Sequence, residues 1–427
     1  TKLLKSNSPL SERMVSCMVH ARNATVKMYP TLYHLFLDFL QWDLPALKLI
    51  NSFGLFVALA FVTAAATLRR EMNRKEKLGI FKPASITVIS GGPVGIGEWV
   101  TQAFIGFILG WKFLYLLINA NELFASGLPQ SHLFSLEGNV GLGLFFALLM
   151  IGWKWWESRA TRSQPVKEEK VLIPSSQHVG GIVAAAAVGG VVGAKFFHLL
   201  EYPEELVRFF TDPSLSNFLG GLTIYGGLIV GGLAVYGYAR KNQLHFLHLA
   251  DSVAPGLMLG YGVGRIGCQV SGDGDWGIPN PNQMPEWLSW LPDWMWSYQF
   301  PNNVNGVFGE RLAGYTGRLI GPGDPWPSFA GYGTYLDPGV FPTAFYETVM
   351  ATIIFVFLWL MRKRFKTAGT LFALYCMFNG AERFFIEKIR VNAVIELGSI
   401  HFTQAELIST ITFFGGAILL GVLLRKS

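Results

Sequence analysis

The sequence predicts an all-α integral membrane protein, a polytopic helix bundle of about nine spans with its N-terminus outside and its C-terminus inside. Three observations predict this class. Charged residues are only 15% of the 427 residues and the mean hydropathy is +0.37, whereas about a quarter of a typical soluble domain is charged. Apolar stretches recur at lengths near the roughly 20 residues that a membrane span needs. Lys and Arg are concentrated in alternate loops between these stretches.

Nine stretches qualify or nearly qualify as spans. They lie at about 48–68, 98–119, 139–156, 177–200, 218–238, 248–268, 341–361, 369–386 and 405–424. The two weakest contain charged residues, Asp251 and Arg265 in one and Glu382 and Arg383 in the other. Ionisable groups at membrane depth face a bundle interior or an aqueous cavity, and they are candidates for function. We therefore expect these two helices in the interior of the bundle.

Loop charge sets the predicted orientation. If the loop 69–83 is cytoplasmic, the inner loops and the C-terminus hold 19 Lys and Arg residues and the outer loops hold 5. Cytoplasmic loops carry the excess of these residues in membrane proteins. Residues 1–27 oppose the pattern, because they carry five Lys or Arg on the side predicted to be outside. We interpret this segment as disordered or as lying upstream of the natural start, with an ordered arm as the alternative.

Several classes of partner and site are excluded. The sequence has no Lys/Arg-rich segment with interleaved aromatics, so no nucleic-acid partner is expected. The three cysteines and the histidines lack the spacing of a disulfide framework or a metal site. The segment SGGPVGIGEW follows a strand-like ITVI, but the acidic residue about 20 positions on that a dinucleotide-binding loop needs is missing. The sequence therefore predicts neither a metal nor another cofactor.

The first candidate site is centred on Arg265. The region 220–277 is rich in glycine, and Gly264 and Gly267 flank Arg265 before a polar loop. Glycines leave room for a ligand beside backbone N–H groups, and an arginine fork binds phosphate bidentately. A phospholipid headgroup is the anion expected at membrane depth. The alternative is structural, because small residues at this spacing also allow helices to pack closely.

A second cluster lies in FNGAERFFIEKIR, where Arg383 and Glu387 are one helical turn apart and Arg390 follows. The segment FPTAFYET adds Glu347 at the start of another span. In the predicted topology these residues and Arg265 all lie toward the outer face, so we expect them to converge on one site. The alternative is that the arginines form structural ion pairs with Asp251, Glu347 or Glu387.

The loop 269–340 is the longest predicted connection and is rich in Trp, Pro, Gly and Asn. Its segment PEWLSWLPDWMWSYQF suits the membrane interface, where Trp and Tyr are favoured. A folded cap over the site is the alternative. A connection of this length in a compact bundle is more often functional than idle.

Together these motifs resemble the prolipoprotein diacylglyceryl transferase family of bacterial membrane enzymes. The most specific element is GRIGCQVSGDGDWG, which is similar to the family signature G-R-[IL]-G-x-x-x-x-G. FPTAFYE resembles H-P-[ST]-Q-L-Y-E, and GAERFFIEKIR resembles G-x-x-R-x-x-x-E-x-x-R. The resemblance covers roughly 48–70 and 177–427.

The resemblance implies a transfer that forms a thioether. The family moves diacylglycerol from phosphatidylglycerol to the thiol of the lipobox cysteine in the signal peptide of a preprolipoprotein, and it releases glycerol phosphate. The resemblance implies a multi-pass protein among the membrane lipids of the bacterial inner (cytoplasmic) membrane. Because the substrate supplies the nucleophile, the protein's own cysteines need no role.

Site residues follow from the same resemblance. Arg265 and Arg383 are expected to be the main groups on the lipid phosphate, where guanidiniums stabilise the charge that develops on the leaving group. Glu347 and Glu387 are expected to orient them, and Tyr225 is expected to contact the headgroup or the thiol. Arg383, Glu347, Glu387 and Tyr225 are thus the catalytic candidates. The other residues expected to bind phosphatidylglycerol are Gly264, Gly267, Gly277 and Arg390.

The sequence departs from the family pattern at several positions. Tyr225 stands where the family often has histidine, so the base that takes the thiol proton is Tyr225 or one of the two glutamates. Tyr225 is equally open to a structural role, as a tyrosine hydrogen-bonded within the bundle. The other departures are Phe53 and Asn379 in place of tyrosine, Cys268 in place of asparagine, and Phe341 and Ala344 in place of histidine and glutamine.

The resemblance also divides the chain into parts. They are an N-terminal arm and lead-in (1–47), a first core span and inner loop (48–83), an inserted two-span hairpin and inner loop (84–176), and a catalytic transmembrane core (177–427). The family core has seven spans. Because the insertion adds two, the chain returns to the same side of the membrane and the later spans keep their orientation. Other functions stay open: a paralogue acting on another thiol or lipid, an inactive phospholipid-binding relative, and a channel or transporter.

Overall fold

The structure is a computed structural model. It describes residues 27–90, 94–123, 132, 135–162, 167–211, 221, 223–306, 309–310, 316–392, 394–398 and 400–425. The predicted N-terminal arm, residues 1–27, lies outside the described residues except for Lys27. The ammonium of Lys27 pairs with the Asp38 carboxylate at 2.6 Å.

Helices dominate the described residues. The helices of nine or more residues are α1 (Leu32–Leu40), α2 (Ser52–Lys77), α3 (Ile96–Ile108), α4 (Val140–Arg162), α5 (His178–Glu201), α6 (Pro203–Thr211), α7 (Ile224–Lys241), α8 (Phe246–Ser271), α9 (Thr343–Met361), α10 (Thr370–Glu387) and α11 (Gln404–Leu424). α3 continues through a π-helical segment, Leu109–Leu114, into a short helix, Tyr115–Ile118. A helix therefore lies on each of the nine predicted apolar stretches.

Six helices in the described part of the chain are long and apolar enough to cross a membrane. They are Ser52–Lys77, Ile96–Ile118, Val140–Arg159, Ser175–Glu201, Thr343–Met361 and Gln404–Leu424. The other three predicted spans are α7, α8 and α10, whose charged residues lower their hydropathy. The chain is thus a mostly helical, multi-pass membrane protein.

Short strands in the described connections correct the prediction of an all-α protein. They are β1 (Ala84–Ser90), β2 (Lys167–Ile173), β3 (Gly309–Glu310), β4 (Thr316–Leu319), β5 (Thr334–Asp337), β6 (Val394–Leu397) and β7 (Ile400–Thr403). They form three separate antiparallel sheets, ordered β1–β2, β3–β4–β5 and β6–β7. These runs are short, and only their antiparallel partners make them strands, so apart from the strand-like ITVI of β1 none of them was predicted.

A strand pair closes the base of the predicted insertion. β1 and β2 pair along their whole length, beginning with Ala84 opposite Ile173. Between the strands, α3 and α4 pack closely because glycines lie at their contact. A Cβ atom added to Gly106 would lie only 2.5 Å from the carbonyl oxygen of Phe146. The segment from β1 to β2 is therefore a helical hairpin on a two-stranded stem.

The chain forms two compact units. One consists of the described residues within Thr1–Trp42, Ile50–Ala64 and Ala254–Ser427, and the other of those within Asp43–Leu49 and Ala65–Val253. In the second unit α5 and α7 approach closely at glycines, as the structural interpretation of the first glycine run predicts. A Cβ atom on Gly226 would lie 2.4 Å from the Cβ atom of Phe197 and 2.5 Å from the Gly193 carbonyl oxygen.

The loop after α8 belongs to the first unit and is folded around a buried cluster. The loop contributes Trp276, Tyr298, Phe300, Leu336 and Val340 to it, and the N-terminal segment contributes Met28. Two other tryptophans of this loop point outward, with Trp287 75% and Trp290 72% exposed. We call this folded connection between α8 and α9, residues 272–342, the cap. Its exposed tryptophans are available for contact with its surroundings.

Candidate active site

Three helices bring the predicted charged side chains together within the first unit. Arg265 lies near the C-terminal end of α8, and Glu347 lies just inside the N-terminal end of α9. Arg383 and Glu387 lie in the last turns of α10, and Arg390 follows that helix. The five side chains form one contiguous network of ion pairs.

Glu347 is the centre of this network and is fully buried. Its Oε1 atom accepts hydrogen bonds from Arg383 Nη1 at 3.1 Å and from Arg390 Nη1 at 3.3 Å. Its Oε2 atom accepts one from Arg265 Nη2. A buried carboxylate needs such partners because its desolvation costs several kcal/mol. Glu347 therefore holds three guanidiniums in one place.

Glu387 orients Arg383 from the other side. Its Oε2 atom lies 3.0 Å from Arg383 Nη2. Its Oε1 atom accepts hydrogen bonds from Asn392 Nδ2 at 2.5 Å and from Thr403 Oγ1 at 2.8 Å. The arginines are thus ion-paired with Glu347 and Glu387, as the structural alternative in the sequence analysis proposed. Asp251, the third acid named there, is a buried residue of the second unit.

Asp275 completes the network, and the sequence analysis missed it. Its Oδ1 atom accepts a hydrogen bond from Arg390 Nη2 at 2.5 Å, and its Oδ2 atom binds Arg265 Nη1. Burial by itself would raise the pKa of Asp275, but the two guanidiniums outweigh it and lower the pKa to about 2. Thr343 Oγ1 donates to the Asp275 carbonyl at 2.8 Å, which joins the cap to α9. Asp275 lies in the motif GDGDWG. Asp–Gly runs more often indicate turns, so the sequence alone did not mark it as a site residue.

Two donors of the network have no acceptor in the described part of the chain. The Nε–H groups of Arg265 and Arg390 are buried and lack a hydrogen-bond partner among the described residues. Buried donors are almost always paired in native proteins, so each such group needs an explanation. The side chain of Arg383 is also 27% exposed, against 10% for Arg265 and 9% for Arg390. The cluster therefore has unused donors and one accessible guanidinium with which to bind a further anion.

The three predicted glycines have different surroundings. A Cβ atom on Gly264 would meet nothing within 4 Å, so this position is open. A Cβ atom on Gly267 would lie 2.8 Å from the Cβ atom of Phe56 on α2, so Gly267 allows two helices to pack closely. A Cβ atom on Gly277 would lie 2.5 Å from the carbonyl oxygen of Ile389. Gly277 thus allows the cap to approach the chain immediately before the third arginine.

We expect Gly277→Ala to lower the free energy of unfolding by about 1–3 kcal/mol, the usual cost of overpacking a close contact. The added methyl group would push the backbone around Ile389 away and displace Arg390. Thermal melting of the purified protein measures the effect. Gly264→Ala is the matched control, since its methyl group enters open space. Equal melting temperatures for the two variants would contradict this assignment.

Tyr225 lies in the second unit, at the start of α7, and is half-buried. The cluster described above belongs to the first unit. The contact of Tyr225 with the lipid headgroup or with the substrate thiol stays a prediction.

One group of described side chains has the composition of a cation site. Cys268, Asp273 and Asp275 each place a potential ligand atom within 4.8 Å of the others. Asp275 is already bound by Arg265 and Arg390, so a cation there would lie beside two guanidiniums. We assign no metal to this group.

Comparison with known proteins decides the family. The sequence model of the prolipoprotein diacylglyceryl transferase family matches residues 133–422, about two thirds of the chain. The chain belongs to this family. The match begins within the hairpin segment, ahead of α4, and ends in α11.

Curated relatives agree with this membership. The phosphatidylglycerol–prolipoprotein diacylglyceryl transferase of Corynebacterium glutamicum is 30% identical over 250 residues, which are 57% of this chain and 68% of the relative. The protein of the same name from Cutibacterium acnes is 25% identical over 252 residues, covering 57% and 70%. That of Clostridium botulinum is 29% identical over 218 residues, covering 50% and 68%. The resemblance drawn from three short motifs is confirmed.

Proposed function

We propose that this diacylglyceryl transferase family member moves diacylglycerol from phosphatidylglycerol to the lipobox cysteine of a preprolipoprotein, the first step of lipoprotein maturation. One observation carries the proposal at the level of the site. The buried cluster of three guanidiniums contains N–H donors that have no acceptor among the described residues. The curated relatives of the chain are named for this reaction.

A phosphodiester headgroup suits this cluster. Its oxygens are the acceptors that Arg265 Nε and Arg390 Nε lack, and the accessible fork of Arg383 can bind a phosphate bidentately. Hydrogen bonds are strengthened where water is scarce. Guanidiniums held in advance by carboxylates need no reorganisation as charge develops on the phosphate, which is the condition for strong transition-state stabilisation.

The reaction is a substitution at carbon. The sulfur of the peptide thiolate forms a bond to the carbon of the diacylated glycerol that carries the phosphate. The bond between that carbon and the phosphate oxygen breaks. The electron pair leaves on the phosphate oxygen, so the second product is glycerol phosphate. The thiol proton passes to a base, because the thiolate is the nucleophile. The arginines bind the phosphate throughout, and Glu347, Glu387 and Asp275 hold the arginines.

Tyr225 is our candidate for the group that takes the thiol proton. The alternatives are Glu347 and Glu387, but both oxygens of Glu347 accept hydrogen bonds from arginines, and Glu387 accepts two hydrogen bonds at Oε1 and forms an ion pair with Arg383 through Oε2. This occupancy supports a holding role for the two glutamates. Tyrosine reacts as a phenolate, with a reference pKa near 10.

We also propose nine spans in the bacterial inner membrane, with the N-terminus outside and the C-terminus inside. Support comes from the helices on all nine predicted stretches and from the 19 Lys and Arg residues of the inner loops against 5 in the outer loops. The cap then lies on the outer side, and Trp287 and Trp290 meet the membrane interface.

The hairpin between β1 and β2 is proposed to lie outside the catalytic core. We expect a variant lacking residues 84–173, with the flanking residues joined by a short Gly/Ser linker, to fold and to keep transfer within a few-fold of the full chain. The paired ends of β1 and β2 lie side by side, so the linker has a short gap to close. Gel filtration and the transfer assay measure the outcome. A well-folded but inactive variant would make the hairpin part of the mechanism, and with it α4, which the family match includes.

The test of the function uses purified protein in vesicles that contain phosphatidylglycerol and a synthetic lipobox peptide. We expect mass spectrometry to find a peptide that has gained one diacylglyceryl group. The control peptide has serine in place of cysteine and should remain unchanged. An unmodified cysteine peptide, together with leakage of a small solute from the vesicles, would instead support a channel or transporter.

A further inference from the structure

Glu382 is a buried acid of the site to which the proposed function gives no task. It lies on α10 beside Arg383 in the sequence and is 5% exposed. Among the described residues its Oε2 atom has no hydrogen-bond partner. The carboxylates of Glu347, Glu387 and Asp275 each pair with at least one guanidinium, whereas no guanidinium is within ion-pair distance of Glu382 in the described part of the chain.

Tyr261 connects Glu382 to the centre of the network. It lies on α8 one helical turn before Arg265, so the two side chains share a face of the helix. Its hydroxyl oxygen is 3.0 Å from Glu347 Oε1 and 3.4 Å from Glu382 Oε1. The hydroxyl group of Tyr261 thus connects Glu382 to Glu347, the carboxylate that holds the three arginines.

The proton count at this hydroxyl is decisive. A tyrosine carries one O–H proton, so it can donate a full hydrogen bond to only one carboxylate at a time. Glu347 is the nearer acceptor, at 3.0 Å against 3.4 Å for Glu382. An ionised Glu382 could only share that proton with Glu347 in a weak three-centre bond. A protonated Glu382 can instead donate its own O–H to the tyrosine oxygen, which gives each contact a proton of its own.

The surrounding charges favour the protonated form. Three guanidiniums are paired with Asp275, Glu347 and Glu387, so an ionised Glu382 would add to a buried site a further negative charge that no guanidinium of the described residues pairs with. Burial and a neighbouring carboxylate both oppose ionisation of a glutamate. The titratable groups that act on it are Tyr261, Arg265, Glu347, Tyr375 and Arg383. The adjacent α11 contributes the backbone around Ser409 and Phe413, and its acid Glu406 is paired with Lys388.

We infer that Glu382 is a positioning residue that keeps a proton at neutral pH and, through Tyr261, fixes the carboxylate of Glu347 between the three arginines. This inference rests on the proposed function for its effect on rate. A neutral Glu382 leaves the cluster free of surplus negative charge when the phosphodiester enters and when further charge develops on the leaving phosphate. The family-like motif GAERFFIEKIR gives no sign of this role, since its pattern leaves the position of Glu382 undefined.

Glu382→Gln tests the inference, because glutamine keeps the shape, can donate to Tyr261 from its amide and cannot ionise. We expect transfer at neutral pH to stay within a few-fold of wild type. Above neutral pH the wild-type rate should fall relative to that of the glutamine variant, as Glu382 loses its proton. The ratio of the two rates cancels the titration of the substrate thiol. Glu382→Leu and Tyr261→Phe remove the hydrogen bond and should lower the rate by up to about tenfold.

An infrared measurement tests the proton without any activity. At neutral pH the wild-type spectrum should contain the carbonyl band of a protonated carboxylic acid, and Glu382→Gln should lack it. Glu396→Gln is the matched control, because this glutamate is exposed and its replacement should leave the band unchanged. Absence of the band, or a rate ratio that is constant with pH, would overturn the inference. Failure of wild-type transfer would instead refute the proposed function, and the infrared band would still decide the state of Glu382.

Discussion

Arg383→Lys is expected to lower diacylglyceryl transfer by about 100-fold or more, the usual effect of removing one preorganised donor from a site that stabilises developing charge. Lysine keeps the charge but loses the planar fork. Arg383 uses Nη1 for Glu347 and Nη2 for Glu387, and a single ammonium cannot occupy both positions. Because Arg383 is the most accessible of the three arginines, the fold should persist. Turnover and thermal melting are to be measured together.

Arg265→Lys should cause a similar loss of transfer. Arg265 is more buried and binds both Asp275 and Glu347, so we also expect a lower melting temperature. The matched control is Arg318→Lys, since Arg318 is 60% exposed and pairs at 2.8 Å with Asp337 in the cap. Exposed pairs of this kind contribute about 0–1 kcal/mol. Near-normal transfer in both site variants would show that the cluster does not bind the phosphate.

Tyr225→Phe separates two roles for Tyr225. The change deletes one hydroxyl group and almost no volume. If the hydroxyl transfers the thiol proton, the rate should fall about 100-fold or more with unchanged melting. If it only forms a hydrogen bond within the bundle, the protein should lose about 0.5–1.5 kcal/mol of stability and keep its rate. We expect the first result.

Tyr225→His restores the residue that the family often has and adds a second check. An imidazole accepts protons with a reference pKa near 6.5, against about 10 for a phenol. Transfer should therefore persist in the histidine variant, with its pH optimum shifted toward neutral. A phenylalanine variant that matches wild type across the pH range would leave Tyr225 structural and move the search for the base to Glu347 or Glu387.

Helix positions were predictable because apolar length is a local signal. Each of the nine stretches read from hydropathy carries a helix, including α8 and α10 with their charged residues. The strands were harder to predict. β1 and β2 are separated by the whole hairpin, and a seven-residue run becomes a strand only when its distant partner is known. ITVI is therefore recognisable as strand-like in the sequence, but its partner strand is not.

The site was predictable where charge, helical spacing and family motifs agreed. Arg265, Glu347, Arg383 and Glu387 are such residues, and they meet in the first unit. Asp275 was missed because its Gly/Asp surroundings match a turn as well as a site. Tyr261 and Glu382 were missed as a pair because they lie on different helices, and no spacing rule connects two helices before they are packed.

The most direct test of the account follows both products of one reaction. Purified protein receives phosphatidylglycerol labelled in its terminal glycerol together with the lipobox peptide, and released glycerol phosphate and lipidated peptide are counted in the same sample. The account predicts one glycerol phosphate for each thioether formed, and a parallel loss of both in Arg383→Lys. Unmodified peptide with well-folded wild-type protein, or glycerol phosphate released without a thioether, would contradict it.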